Sequence, residues 1–258
     1  ITNAQTRQAC SARLLQEMEG RLTVEGMMRI ARDRSSSPSI DLDQTASSCV
    51  AVLPHSPEEL PVFWWCAVTP SSSCYVPFFV NGSRIPEILQ AAGTFGRKIV
   101  TPEKAERDGF SENSYWWLFR DLCDKINAYP ASRRAAVRAE FDILEKDFAE
   151  GIPNVMSKAI ALRKAGRLEE SAKILDAYTE TCVARVLEKL RDLRTKFSLA
   201  AAELVPEKYQ PYIGTYLADS GPLKGREFKV LVRNGRLALD IPGQMVAELK
   251  APDGEDLW

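Results

Sequence analysis

Ser47–Leu53 (SSCVAVL) and Leu60–Thr69 (LPVFWWCAVT) are two short apolar runs on either side of Pro54–Glu59 (PHSPEE). Both are strand-sized and rich in β-branched or aromatic residues, and the polar, proline-bearing linker between them is turn chemistry. They are expected to pair as antiparallel strands. Each run is apolar at successive positions, which is the pattern of a covered sheet and not of one wetted on one side. Trp64 and Trp65 point to opposite faces, and both need cover. Helices are therefore expected on each face of the sheet, with Trp64 or Trp65 largely buried.

Outward from this pair, Ala4–Glu19 has helical spacing and ends at Gly20, and Thr23 is a fitting N-cap for a helix over Val24–Asp33. Ser35-Ser36-Ser37-Pro38 reads as a loop. After the second strand come Pro70–Gly82 (PSSSCYVPFFVNG), a short helix over Ile85–Ala92, and a helix over Asn113–Asn127 capped by Ser111. Tyr115, Leu118, Phe119 and Leu122 form an apolar stripe there, whose ordinary meaning is core packing.

The segment 132–202 is helical throughout. Arg133–Glu150 carries Val137, Phe141, Leu144 and Phe148 on one face, and Ile152-Pro153 is expected to kink or restart the helix. Gly166 suits a C-cap, and Leu168–Ala202 places Ile174, Tyr178, Cys182, Val186 and Leu190 on one face. The pattern predicts an antiparallel helical hairpin turning at Lys164–Arg167. Phe141, Leu144 and Phe148 should face Ile174, Tyr178 and Cys182 or their neighbours.

Beyond Val205-Pro206, Tyr209–Leu217, Glu227–Arg233, Arg236–Ile241 and Gln244–Lys250 are strand candidates. Asn234-Gly235 between two of them is a strong hairpin signal, and Pro242-Gly243 and Pro252-Asp253-Gly254 mark further turns. The fold class read from the chain is α+β. A first domain spans 1–203, and a small antiparallel β domain spans 204–258, with a continuation expected after Trp258.

With 258 residues, 45% of them hydrophobic, the chain can build a substantial core. A net charge of −1 gives no general attraction for nucleic acid or anionic membrane, so neither is expected as a partner. No apolar run approaches the roughly 20 residues of a membrane helix. A soluble protein follows, either cytoplasmic or periplasmic/secreted. The six cysteines lie apart with no C-x-x-C pair, which fits apolar filling better than metal ligation. The single histidine, His55, stands in the turn between the two runs, so a His-based zinc site is not expected. No phosphate-binding glycine motif is present, and no cofactor is expected.

The order of motifs is similar to the downstream half of the dipeptidase/secernin-type N-terminal-nucleophile hydrolases. It rests on Gly20–Arg29 (GRLTVEGMMR), the SSCV start of the first run, Tyr75–Phe78 (YVPF) and Ser114–Arg120 (SYWWLFR). The resemblance implies a partial α/β/β/α sandwich over roughly 1–199 and cleavage of amide bonds in dipeptides or small acylated amines. It also implies a catalytic cysteine freed at the start of the mature chain, whose own α-amino group, of pKa about 8, serves as base. Position 1 here is isoleucine, so that cysteine is expected upstream, in a missing N-terminal portion of the same protein, and no catalytic residue is assigned within this chain. The region from Tyr209 resembles the small β appendage behind several bacterial hydrolase domains, through YIGTY, NGRL and IPGQ.

Two polar clusters are candidates for bordering a substrate. Thr45, Ser47 and Ser48 stand at the first strand's entry, and Ser72 and Tyr75 (with Ser71 and Ser73) lie in the loop after the second. The alternative is that these serines only cap and solvate turns. Relatives often carry an arginine just before the first strand, which could hold a carboxylate in a bidentate way. Asp43-Gln44 stands there instead. Two other functional classes stay open: a non-catalytic assembly module built on the hairpin and β appendage, and a complete hydrolase using Ser72 or Cys74 with His55. Homo-oligomerisation is left open.

Overall fold

The computed structural model describes residues 3–35, 39–56, 58–90, 110–127, 131–202, 207–220, 224–233, 236–241 and 246–249. It is an α+β protein. Helices α1 (Asn3–Gln16) and α2 (Val24–Ala31) precede strands β1 (Ser47–Val52), β2 (Val62–Ala67) and β3 (Val76–Phe79). Then follow α3 (Glu87–Gln90), α4 (Tyr115–Asn127), α5 (Ala131–Lys164), α6 (Leu168–Ala202), and strands β4 (Gly214–Leu217), β5 (Glu227–Arg233), β6 (Arg236–Asp240) and β7 (Ala247–Glu248). By compactness the chain divides into two units, residues 1–90 with 136–190, and 91–135 with 191–258. These differ from the division at 203/204: α4 and the end of α6 group with the β4–β7 region.

In the first unit the sheet order is β1-β2-β3, antiparallel throughout, with Val50 opposite Trp64 and Phe63 opposite Phe78. The expected pairing is present, and Trp64 is buried. Cover of the sheet is only partial on one of its two faces. One face carries Val50, Val62, Trp64, Cys66 and Phe79, all buried. On the other, Ala67 and Val76 are buried, Phe63, Trp65 and Phe78 are half-buried, and Cys49 and Ala51 are exposed. The reason lies in β1, an edge strand whose outward row is Ser47, Cys49 and Ala51. These side chains are too small to demand a covering layer as a tryptophan does.

Helix α2 starts where its sequence says, with the Thr23 hydroxyl accepting the Gly26 N–H at 3.1 Å. Helix α4 starts later than expected. Ser114, not Ser111, is its cap: the Ser114 carbonyl accepts from Leu118, and its hydroxyl accepts from Trp117 at 3.4 Å. Tyr115, Leu118, Phe119 and Leu122 are all buried, as the stripe predicts.

Helix α5 is one continuous element through Pro153, not a pair restarted there. Proline removes one backbone donor, but the turns on either side keep theirs and the packed face holds them in line. The helix ends in a Schellman motif. Gly166 has φ +76°, its N–H reaches the Arg163 carbonyl at 3.0 Å, and the Arg167 N–H reaches the Leu162 carbonyl at 2.9 Å. Helix α6 returns antiparallel. The Tyr178 hydroxyl donates to the Phe148 carbonyl at 2.7 Å, Arg185 pairs with Asp147 at 2.6 Å, and Lys189 with Glu140 at 2.8 Å. These contacts put Phe148 beside Tyr178, as expected. They set Phe141 level with Val186 and Leu190, further along α6 than Ile174.

In the second unit, β4–β7 form a four-stranded antiparallel sheet in chain order around a small core of Tyr209, Val232 and Leu237. Glu207–Tyr212 is a 3-10 turn and not the start of a strand; Pro211 there cannot donate to a ladder. The β5–β6 ladder closes with Arg233 opposite Arg236, on either side of Asn234-Gly235. That dipeptide, Ser36–Pro38, Ala91-Ala92, Val205-Pro206, Pro242-Gly243, Pro252–Gly254 and Trp258 lie outside the described residues.

Candidate functional site

The sheet register explains which of the predicted site residues meet. Ser48 pairs with Cys66 across β1–β2, and continuing the β2–β3 register sets Tyr75 on the other side of Cys66. Ser48 and Tyr75, 27 residues apart in sequence, thus flank one small side chain on the covered face, and their hydroxyls lie 2.6 Å apart. Tyr75 is wholly buried. Thr45 turns the chain into β1, its hydroxyl accepting the Leu42 N–H at 3.2 Å, and Ser47 is exposed at the strand entry. Neither joins the Ser48–Tyr75 pair.

Ser72 sits in a loop held with unusual force. At the end of β2, Val68 adopts φ +49°, a left-handed conformation that a β-branched residue takes only under constraint. Its N–H is tied to the Ala46 carbonyl at 2.9 Å. The chain then turns through the 3-10 segment Pro70–Ser72. Asp41, with no exposed side-chain surface, accepts from Arg34 at 2.9 Å, from the Thr69 hydroxyl at 2.8 Å and from the Ser71 N–H at 3.3 Å. Arg32 donates to the Pro70 carbonyl at 3.0 Å, and Arg138 donates to the Ser73 carbonyl. Ser71, Ser72 and Ser73 are buried, and their hydroxyls find no hydrogen-bond partner among the described residues. Unpaired buried hydroxyls are costly, so three in a row beside a strained valine single this loop out.

Glu145 of α5 links the loop to Tyr75. It is buried, and one carboxylate oxygen, Oε1, accepts the Tyr75 N–H at 2.7 Å and Arg32 Nη2 at 2.5 Å, with Arg138 Nη2 at 3.0 Å. The Arg32 guanidinium also lies over the Tyr75 ring, 4.9 Å from its centre. Burial opposes the Arg32 charge, but Glu145 outweighs it and raises the arginine above its ordinary value. Beside this network lies a cleft of about 920 Å³ lined by Trp64, Met28, Arg29, Arg32, Arg138 and Glu145 among others. The signal that could have found Glu145 is its place: it falls one residue after Leu144 in an apolar stripe, on the edge of the buried face.

The cysteines in this region are unreactive by environment. Burial pushes the Cys66 thiol up to about 12, against the pull of Arg32. Cys74 is raised well above its usual value by burial and then by the charge of Glu145. Burial also takes Cys182 to about 12. At pH 8 a thiol of pKa 12 is ionised in only about one molecule in ten thousand. Brief alkylation of the native chain at pH 8 is therefore expected to label exposed Cys49 and to leave Cys66, Cys74 and Cys182 unmodified; peptide mass mapping reads this directly. Labelling of Cys74 as fast as Cys49 would contradict the burial described.

No protein-family model matches the chain, and no solved structure matches it significantly. Among the described residues no cluster of His, Cys, Asp and Glu has the makings of a metal site, and no helix is long and apolar enough to cross a membrane. His55 is exposed in the turn after β1, its N–H bonded to Glu59 at 2.7 Å, whereas Ser72 and Cys74 are enclosed. A His55-activated nucleophile at either position therefore gains no support. The assembly reading calls for a second apolar strip on the hairpin. The large apolar side chains exposed there, among the described residues, are Ile143 and Leu168, which are scattered and form no strip.

Proposed function

We propose that this chain is the downstream part of an amide hydrolase of the N-terminal-nucleophile type, acting on dipeptides or small acylated amines. The observation that carries the proposal is the asymmetry of the β1–β3 sheet. One face is packed with Trp64 and Phe79, while the other presents half-buried Phe63, Trp65 and Phe78. A sheet with helices behind it and an apolar front suits one half of an α/β/β/α sandwich, in which a second sheet covers the front. In this reading the nucleophilic cysteine and that second sheet come from an upstream portion of the same protein. Arg32, Arg138 and Glu145 line the cleft, and through them the Tyr75 backbone and the serine loop are tied to its wall.

The thiols within the chain favour the same assignment, because Cys66, Cys74 and Cys182 are held in their protonated form. The purified 258-residue chain is accordingly expected to show no turnover of dipeptides. The natural gene product is expected to hydrolyse them, with a mature subunit that begins at cysteine. Intact-mass and N-terminal analysis of that product, beside a dipeptide assay of both proteins, tests this. Turnover by the 258-residue chain that disappears in Cys74→Ala or Ser72→Ala would replace the proposal with a self-contained hydrolase.

A further inference from the structure

We propose that Glu145 is the positioning residue of this site, setting the Ser48–Tyr75 pair and the serine loop from the far side of the packed face. The inference rests on the reading of the cleft lined by Arg32, Arg138 and Glu145 as part of a hydrolase site. Its geometric basis is that one carboxylate oxygen governs three separate parts of the site. It receives the Tyr75 backbone N–H at 2.7 Å, which fixes where the Tyr75 side chain leaves the chain. It anchors Arg32, whose plane lies over the Tyr75 ring and whose Nε holds the Pro70 carbonyl. It attracts Arg138, which holds the carbonyls of Ser73 and Pro70 at the two ends of the loop.

No other carboxylate could take this place without moving the chain. Asp142 pairs with Arg138 at 2.7 Å but is largely exposed, and Asp41 is committed to Arg34, Thr69 and Ser71. Arg32 is paired with Glu145, and Arg138 with both Glu145 and Asp142. Removing the Glu145 charge leaves Arg32 without that carboxylate partner and Arg138 with Asp142, and nearby cations favour the phenolate. The groups acting on the Tyr75 phenol include Cys66, Ser48 and Arg32, while Glu145 meets this residue at its backbone N–H. Burial, then Cys66, keep the phenol protonated well beyond its usual range, with Ser48 and Arg32 opposing.

The test is a titration of Tyr75 in the 258-residue chain by NMR with ring-labelled tyrosine, the signal being assigned with Tyr75→Phe. In the wild type Tyr75 should stay protonated at about pH 11, beyond the ordinary tyrosine value of about 10. In Glu145→Gln, which keeps an acceptor for the Tyr75 N–H and loses only the charge, ionisation should begin below that pH. A residue that merely glued α5 to the sheet would lower stability and leave the titration where it was, and that result would overturn the proposal. If Glu145→Gln does not fold, Glu145→Asp serves. Its shorter side chain should raise exchange of the Tyr75 amide by about tenfold or more, and an unchanged rate overturns the proposal equally. In the natural gene product, Glu145→Gln should lower kcat more than it changes KM. A wild-type gene product without amidase activity would remove the hydrolase reading alone, leaving the titration to decide the role of Glu145.

Discussion

Phe141→Ala is expected to destabilise the first unit by about 3–5 kcal/mol, the range for deleting a fully enclosed phenylalanine. Phe141 has no exposed surface, and the Lys189–Glu140 pair sets it between α5 and the Val186–Leu190 stretch of α6, both of whose ends are also buried. Transfer of the ring to water accounts for about 1.5–3 kcal/mol, and the cavity left behind supplies the rest. The Arg138 guanidinium, 5.8 Å from the ring centre, adds a cation–π term of order 0.5–1 kcal/mol. That is too small to decide the outcome. Ile143→Ala, two residues along on the same helix, is the control. Its side chain is 60% exposed, so it should shift stability by only about 0.5 kcal/mol. Urea unfolding followed by far-UV circular dichroism separates the two. A loss below about 1 kcal/mol for Phe141→Ala would mean that the hairpin can close around the gap, against the register described.

The elements that were legible are those whose signals are local. SSCVAVL and LPVFWWCAVT declare strands through composition, Thr23 declares a cap, and Gly166 declares a helix end, because each needs only its immediate neighbours. The hairpin was legible for the same reason, with its turn at Lys164–Arg167 and the buried stripe of α5. On α6, Cys182, Val186 and Leu190 are buried as read, but Leu175 and Thr179 are buried where Ile174 and Tyr178 were expected. Register was less so. Two helices of 34 and 35 residues can slide by a turn without breaking either stripe. The choice was made by pairs such as Arg185–Asp147 that no stripe reveals. The edge position of β1 was hidden too, because a run such as SSCVAVL reads alike whether one or two neighbours flank it. In the site, Ser48 and Tyr75 could be named as polar residues near strand ends. Their meeting at 2.6 Å follows from a register passing through Cys66. Glu145 left only its place beside Leu144 as a sign, because its partners lie 70 and 113 residues away and charge on a helix normally means solvent.

The same logic of long-range polar ties makes Asp41→Ala the other substitution of large expected effect. Asp41 stands in the connection between α2 and β1, where nothing in the sequence separates it from Asp43 two positions on. Their surroundings do. The Asp41 side chain has no exposed surface and satisfies Arg34, the Thr69 hydroxyl and the Ser71 N–H, whereas Asp43 is about one-third exposed and meets the outer Nη2 of Arg34, at 2.6 Å. Deleting Asp41 would remove the acceptor these three groups share, leaving Arg34 with Asp43 and the Thr69 hydroxyl with the Leu42 carbonyl, and taking the Asp41 acceptor from the Ser71 N–H. Breaking a buried pair from one side costs about 3–5 kcal/mol. Asp43→Ala should cost about 0–1 kcal/mol, the ordinary value for a pair in contact with water. The damage from Asp41→Ala should also be local, because the ties it removes are those that hold the chain just after Val68 in its strained turn. Once they are gone, Val68 can relax toward ordinary extended backbone and the segment Thr69–Ser73 can open. Cys74, silent to alkylation in the native chain, should then become reactive under conditions where global unfolding remains negligible. A variant that loses stability while Cys74 stays unreactive would show that Asp41 supports the fold as a whole and that the serine loop is held without it.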